Sequence, residues 1–201
     1  MLQDNWYYLL EGGIPKHTCN EIIQYGKSLE LNEGVTGSTD YLFDDEDKKN
    51  HTENVRNSRT TWISTPWIYN LLNPILNNCN NLGFHFNISE KEHVQFTEYK
   101  PNGHYNWHQD TTEIQQNKKL IRKLSMIIQL SDPNDYEGGG LSFNLRGLDS
   151  MSEDTLIDVP KKFRTQGSVV VFPSYLWHKV NTITDGIRYS LVMWSLGEPW
   201  K

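Results

Sequence analysis

A histidine and an aspartate one residue apart, His108 and Asp110 in NWHQD, are residues whose types and spacing could do chemistry. On an extended strand, residues two apart point to the same face, so both side chains could grip one ion. Alone the pair is weak, because 7 histidines in 201 residues make a chance His-x-Asp common. A third ligand must come from elsewhere. His17 and His51 lie in a polar N-terminal region, and His85 and His93 flank a strand start. His104 shares the parity of His108, but four residues of strand span about 13 Å, too far for one ion. His178 stands apart, following the apolar run GSVVVFPSYLW and opening another strand. A histidine in such a core-forming region needs a polar partner or a metal.

Ten residues after His178 comes Arg188, in IRYSLVMW. With period two, Arg188, Ser190, Val192 and Trp194 share a face. An inward arginine is costly unless it meets an anion. Guanidinium suits a bidentate carboxylate, and Ser190 could donate to the same group. A buried Arg–Asp or Arg–Glu bridge within the fold, or an arginine reaching solvent at a strand end, would also account for it. Two histidines and one carboxylate on one side of a metal leave the opposite positions open, the facial triad favoured by non-haem Fe(II) oxygenases. Structural zinc prefers four closed ligands, usually including thiolates, and Cys19 and Cys79 form no such pattern.

The elements that must position these groups fall into two parts. The first third reads as helical with a polar insertion. Thr18 and Glu21 in TCNE suggest a capping box, and Cys19, Ile22, Ile23, Gly26 and Leu29 recur as one buried helical face. Residues 31–58 are polar and rich in turn formers. The acidic run Asp44–Asp47 there reads as a solvated loop, with a substrate lid as the functional alternative. STPWIYNLLNPILNNCNNLG predicts a second helix capped by Thr65, opened by Pro66, kinked or broken at Pro74 and ended by Gly83. From residue 93 the pattern becomes short apolar strands: HVQFTEY, HYNWHQD, RKLSMIIQLS, GGLSFNL, DTLIDVP, GSVVVFP, LWHKVNT and IRYSLVMWSL. Breaks such as KPNG, SDPND, EGGG and TDG separate them. Strands at this spacing without intervening helices predict a mainly β fold with flanking helices, a sandwich or jelly roll. The expected organisation is one domain over 1–201, helical over about 1–92 and a jelly-roll core over about 93–197.

Composition narrows the function classes. The chain is 36% hydrophobic and 12% aromatic, which suits a folded domain with a sizeable core. A net charge of −6 with no densely basic stretch argues against phosphate-driven nucleic-acid binding. Two cysteines make no disulfide framework, so free thiols in a reducing cytoplasm are expected. MLQDNWYYLLEGG lacks the pattern of a secretory signal, and no apolar run approaches a membrane span.

His108-x-Asp110, then His178, then Arg188 resembles the Fe(II)- and 2-oxoglutarate-dependent dioxygenases, and within them the prolyl 4-hydroxylase-like branch. YKPNGHYNWHQD is similar to that branch's tyrosine–glycine–tyrosine lead-in, with Tyr99 and Tyr105 in place and Gly103 one residue later than usual. LSDPNDYEGGGLSF, GSVVVFPSYLWHKV and RNSRTTWI resemble its central, metal-bearing and pre-core segments, so the likeness covers about residues 8–197. The resemblance implies a double-stranded β-helix (jelly roll) core. It implies Fe(II) held by His108, Asp110 and His178, with 2-oxoglutarate and O₂ as co-substrates and ascorbate as an accessory reductant. The far carboxylate of 2-oxoglutarate would pair with Arg188, assisted by Ser190 and Tyr99. Gln129 stands where the family often has an aromatic lining that pocket, and could bond the co-substrate or be a strand-edge amide. Trp194 resembles a tryptophan of prolyl hydroxylases. Tyr105, Trp107 and Trp194 could be pocket wall or core. Arg56, Arg59 and Arg122 read as surface or loop residues, with Arg59 placed to touch substrate.

Several activities fit that resemblance. One is hydroxylation of a prolyl or other residue in a peptide or protein. Another is the same chemistry on a free amino acid or small molecule. A third is a catalytically silent jelly roll that binds a ligand or partner, which the intact triad and Arg188 argue against. Nucleic-acid demethylases of the superfamily carry another arginine six residues after the co-substrate arginine, whereas this chain has Trp194. A cupin would be expected to show His-x-His rather than HQD.

Overall fold

The computed structural model describes residues 2–3, 6–35, 54–111, 119–146 and 155–200. The acidic run Asp44–Asp47 and most of the candidate lid lie outside the described residues.

Helix α1 spans Lys16–Ser28 and buries Cys19, Ile22 and Gly26, with Ile23 and Leu29 packed at its margin, as the periodicity predicts. The capping box is a correction. The helix opens directly after Pro15, whose carbonyl accepts from the Cys19 N–H at 3.0 Å, so Thr18 lies inside the first turn. Helix α2 spans Pro66–Cys79 with Thr65 at its N-cap position. It does not break at Pro74, which lies with Asn70 on the exposed face, where water can take the carbonyl freed by the missing N–H. The expected stop at Gly83 becomes a π-helical turn over Asn80–Phe84, ended by His85 at φ 55°.

The strands form two main layers. In chain order they are β1 (Leu2–Gln3), β2 (Tyr8–Leu10), β3 (Asn32–Glu33), β4 (Arg56–Asn57) and β5 (Arg59–Ile63). Then come β6 (Glu90–Lys91), β7 (Val94–Tyr99), β8 (His104–His108), β9 (Ile121–Gln129), β10 (Tyr136–Gly138) and β11 (Leu141–Asn144). The last are β12 (Leu156–Asp158), β13 (Val169–Pro173), β14 (Trp177–Val180), β15 (Ile183–Gly186) and β16 (Arg188–Gly197). The major sheet runs β1-β2-β13-β9-β16-β7-β5-β3, with β6 on β16. The minor sheet runs β12-β11-β14-β8-β4, and β10 pairs with β15. The expected jelly-roll class is present, and all eight apolar runs after residue 93 contain a strand. The segment before residue 93 supplies strands as well as helices, because Arg59–Ile63 pairs with Val94–Tyr99 and extends the major sheet.

Alternation along the major sheet creates two interiors. Leu124, Met126, Ile128, Val169, Val171, Leu191 and Met193 face α1 and α2, joining Ile22, Ile68, Leu72 and Leu76. Each fully buried aliphatic there contributes about 1.5–3 kcal/mol. Ile127, Val170 and Phe172 face the other way, toward Leu141 and Phe143 of the minor sheet. Apolar residues on both faces of LVMW thus reflect a strand covered on both sides.

No described helix is long and apolar enough to cross a membrane. Cys19 and Cys79 are buried free thiols.

Gly26 lets α1 approach the sheet. A Cβ there would come 2.6 Å from the Phe96 ring, which is itself stacked on Tyr189 at 5.6 Å between centroids. Gly26→Ala gains about 1 kcal/mol of helix propensity, but overpacking costs about 1–3 kcal/mol. The expected result is a lower melting temperature, measured by circular dichroism. A raised melting temperature would show that Phe96 yields and that this contact does not set the helix–sheet spacing.

Candidate active site

Two adjacent strands of the minor sheet present the histidines to each other. β8 and β14 run antiparallel with His108 opposite His178, and their rings lie 4.1 Å apart between centroids. Asp110 follows β8, where its N–H donates to the Ser174 carbonyl at 2.9 Å. One ligand atom from each of His108, Asp110 and His178 fits within 4.8 Å of the others. Asp110 and His178 are 7% and 2% exposed, so the group lies between the sheets.

The imidazoles are set for ligation. Nδ1 of His108 lies 2.7 Å from the Asn106 carbonyl, and Nδ1 of His178 lies 2.8 Å from the Leu176 carbonyl. Each Nδ1 donates to that oxygen, which leaves each Nε2 as the lone-pair nitrogen turned toward Asp110. The Nε2–carboxylate separations are 3.8 Å from His108 and 3.5 Å from His178. Burial, and then the His178 ring, push the His108 imidazole well below its ordinary value, so it stays neutral. Burial alone would raise the Asp110 carboxyl, but His178, His108, Arg122 and the Ser125 hydroxyl together draw it down to about 2. A neutral His108 imidazole beside an ionised Asp110 carboxylate suits a divalent cation.

Arg188 opens β16 and is 1% exposed. Its Nε donates to Gln129 Oε1 at 2.9 Å, and its guanidinium lies 5.4 Å from the centre of the Tyr99 ring. Gly139, at φ +64°, makes room for it, since a Cβ there would sit 2.9 Å from Arg188 Cδ. Its buried Nη1 has no hydrogen-bond partner among the described residues. That orphaned donor could take a carboxylate, because an unpaired buried charge carries the full desolvation cost. Ser190 is buried two residues along the strand, opposite Gln129 on one side and Thr97 on the other. The alternative of an Arg188–carboxylate bridge within the fold is not what is found, as its hydrogen-bonded partner is an amide.

Aromatic groups line the rest of the site. The Tyr105 ring stacks on His108 at 3.4 Å, and burial pushes its phenol up to about 12. Trp194 is 6% exposed, with its indole N–H unpartnered. Its ring lies 5.9 Å from that of Trp62 and carries the Arg122 guanidinium at 3.8 Å.

Two of the three arginines, Arg56 and Arg122, depart from the surface or loop reading, and Arg59 keeps it. Arg56 is buried and donates to Gln95 Oε1 and Ser58 Oγ, both at 2.8 Å, with its guanidinium over the Tyr105 ring. Arg122 donates to both carboxylate oxygens of Glu92. Arg59 is exposed, but it stands away from the site. It donates to the Leu31 carbonyl and lies 3.6 Å from Glu98, which shares by alternation the helix-facing side of Val94 and Phe96 rather than the side of Tyr99.

Residues 94–196, a little over half of the chain, match the 2OG-Fe(II) oxygenase superfamily. The chain belongs to that family. Among curated relatives, a PKHD-type hydroxylase of Prochlorococcus marinus is 31% identical over 110 residues, covering 54% of this chain and 44% of that protein. The chain thus spans less than half the length of that relative. Among solved structures, a Pseudomonas putida prolyl-4-hydroxylase superposes with TM-score 0.67 at 19% identity, covering 94% of this chain and 91% of that one. A viral collagen prolyl hydroxylase of Paramecium Bursaria Chlorella virus-1, in its 2OG complex, gives 0.64 at 18%, with 96% of each covered. Both share the fold of this 2OG-Fe(II) oxygenase.

The neutral His108 carries a pH consequence for the metal-free protein. Its folded value lies below the unfolded one, so below about pH 6.5 the unfolded chain binds the extra proton and stability falls as pH falls. Thermal melts from pH 7.5 to 5 should show a smaller decline for His108→Gln than for the parent. Equal declines would place the pH-sensitive burial elsewhere.

Proposed function

We propose that this chain is an Fe(II)- and 2-oxoglutarate-dependent dioxygenase that hydroxylates a prolyl residue in a peptide or protein. The carrying observation is the pairing of a buried His108–Asp110–His178 group with Arg188, a buried cation whose Nη1 has no partner. A metal-only binding site would have no use for such an arginine.

His108 Nε2, one oxygen of Asp110 and His178 Nε2 would hold Fe(II). Arg188 would take the far carboxylate of 2-oxoglutarate, with Gln129 fixing its Nε edge and Ser190 and Tyr99 walling the same space. With both bound, the iron supplies the oxidising chemistry, in which O₂ converts 2-oxoglutarate to succinate and CO₂ and places one oxygen atom in a substrate C–H bond. The chain's own work is electrostatic and steric. Asp110 stays ionised and His108 neutral, so both remain ligands at neutral pH. Phe143 and Phe172 pack around the His178 ring and keep water from its back.

Support for a prolyl substrate comes from the names of the relatives and from the aromatic surround. Trp62 is 49% exposed beside the buried Trp194, and Tyr105 covers His108, offering flat faces to a pyrrolidine ring. A structural neighbour from Trichoplax adhaerens is a prolyl hydroxylase solved with a hypoxia inducible factor peptide fragment, at TM-score 0.69 and 14% identity.

Arg188→Ala should weaken 2-oxoglutarate by about 2–5 kcal/mol, roughly 30-fold or more in the concentration required. Succinate release against 2-oxoglutarate concentration reads this, and an unchanged requirement would move the anion site elsewhere. A panel of proline-containing peptides, analysed by mass spectrometry, should yield a product heavier by one oxygen atom on proline. Coupled turnover on free amino acids, with none on any peptide, would overturn the peptide substrate while leaving the cofactor chemistry standing.

A further inference from the structure

Two fully buried serines, Ser125 and Ser174, converge on the carboxylate of the triad. Ser125 lies on β9 in the major sheet, and its hydroxyl donates to Asp110 Oδ2 at 2.6 Å. Ser174, just past the end of β13, lies 2.9 Å from Ser125, oxygen to oxygen. The Ser125 proton is committed to Asp110, so the Ser174 hydroxyl is the donor in that second bond. The Ser174 backbone is equally engaged. Its carbonyl accepts from the Asp110 N–H at 2.9 Å and the Thr111 N–H at 3.1 Å, and its own N–H donates to the Lys123 carbonyl at 3.0 Å. Asp110 is thereby tied, main chain and side chain, to the segment that leads into His178 and to the facing sheet.

Oδ2 is occupied by the serine, whereas no hydrogen bond among the described residues reaches Oδ1. We propose that Ser125 and Ser174 are positioning residues that hold Asp110 as a single-oxygen ligand. The inference rests on the metal reading of the triad and adds a requirement to it. A six-coordinate Fe(II) held by His108, Asp110 and His178 would need its remaining positions free for 2-oxoglutarate and O₂. A carboxylate gripping through both oxygens would fill one of these. A buried serine pair across the two sheets disfavours that by hydrogen-bonding one oxygen and fixing the carboxylate plane.

The test is anaerobic Co(II) titration of the metal-free chain, with metal-free melting temperature measured alongside. Wild type, Ser125→Ala, Ser125→Thr, Ser174→Ala and His108→Ala are compared. Ser125→Ala should weaken Co(II) by about 10–100-fold, as loss of a ligand's supporting hydrogen bond does. Its metal-free melting temperature should shift by no more than about 4 °C. Ser174→Ala, which leaves the Ser125 hydroxyl but removes its anchor, should fall between Ser125→Ala and wild type. Ser125→Thr restores the hydroxyl and should recover the affinity. Ser125→Ala binding within about twofold of wild type overturns the inference, as does a loss matched by collapse of the metal-free fold. If wild type and His108→Ala bind Co(II) equally, the metal site itself fails. If His108→Ala loses the metal while Ser125→Ala keeps it, the positioning role alone fails.

Discussion

The antiparallel pairing of β8 with β14 is the constraint on which the site depends. Its register sets His108 opposite His178, and two residues further Asp110 turns back between the sheets. A slip of one residue in either strand would send its histidine to the other face of the minor sheet, away from its partner. What holds the register lies on either side of it. Gly103 donates to the Lys100 carbonyl to close the turn before β8, and its carbonyl accepts from Ile183 of β15. Tyr105 adds a ring stacked on His108, with Arg56 above it. The triad is therefore a product of strand pairing rather than of a loop, which keeps its ligand atoms close without a metal to gather them.

Around that pairing, charges are placed so that each is compensated or deliberately left over. Asp110 is answered by Ser125 and the histidines, and Arg122 by Glu92. Among the described residues, Arg56 is answered by neutral oxygens, from Gln95 and Ser58. Arg188 is the extreme member of this set, bonded through Nε to a neutral amide and orphaned at Nη1. A buried cation without an anion is unfavourable for folding, and such defects concentrate where a ligand completes them. On the proposed reading, the small loss of stability at Arg188 leaves a carboxylate receptor ready.

Much of this was legible in the sequence because the core strands alternate cleanly. Arg188, Ser190, Val192 and Trp194 could be put on one face by period two, and His178 stood out as a polar residue in an apolar run. The N-terminal strands were not legible. RTTWI is five residues long and mostly polar, and its role comes from pairing with β7, 39 residues away at Arg59 and 31 at Ile63 by register. The burial of Arg56 depends on Gln95, a partner 39 residues distant, and nothing local signals it. The same holds for Ser125 and Ser174, 49 residues apart, which are unremarkable small residues until the sheets meet. Whether Pro74 would break α2 was not legible for a different reason: its cost depends on whether the freed carbonyl faces water, and that is decided by which side of α2 meets the sheet.

The central claim is that the triad and Arg188 form one site for a metal and a dicarboxylate. Its most direct test is anaerobic addition of 2-oxoglutarate to the Fe(II)-loaded chain, watched by visible absorption. A weak charge-transfer band that appears only when both are present, and is lost in the His178→Ala variant, is the predicted result. Folded, iron-loaded protein that shows no band at saturating 2-oxoglutarate would contradict the account.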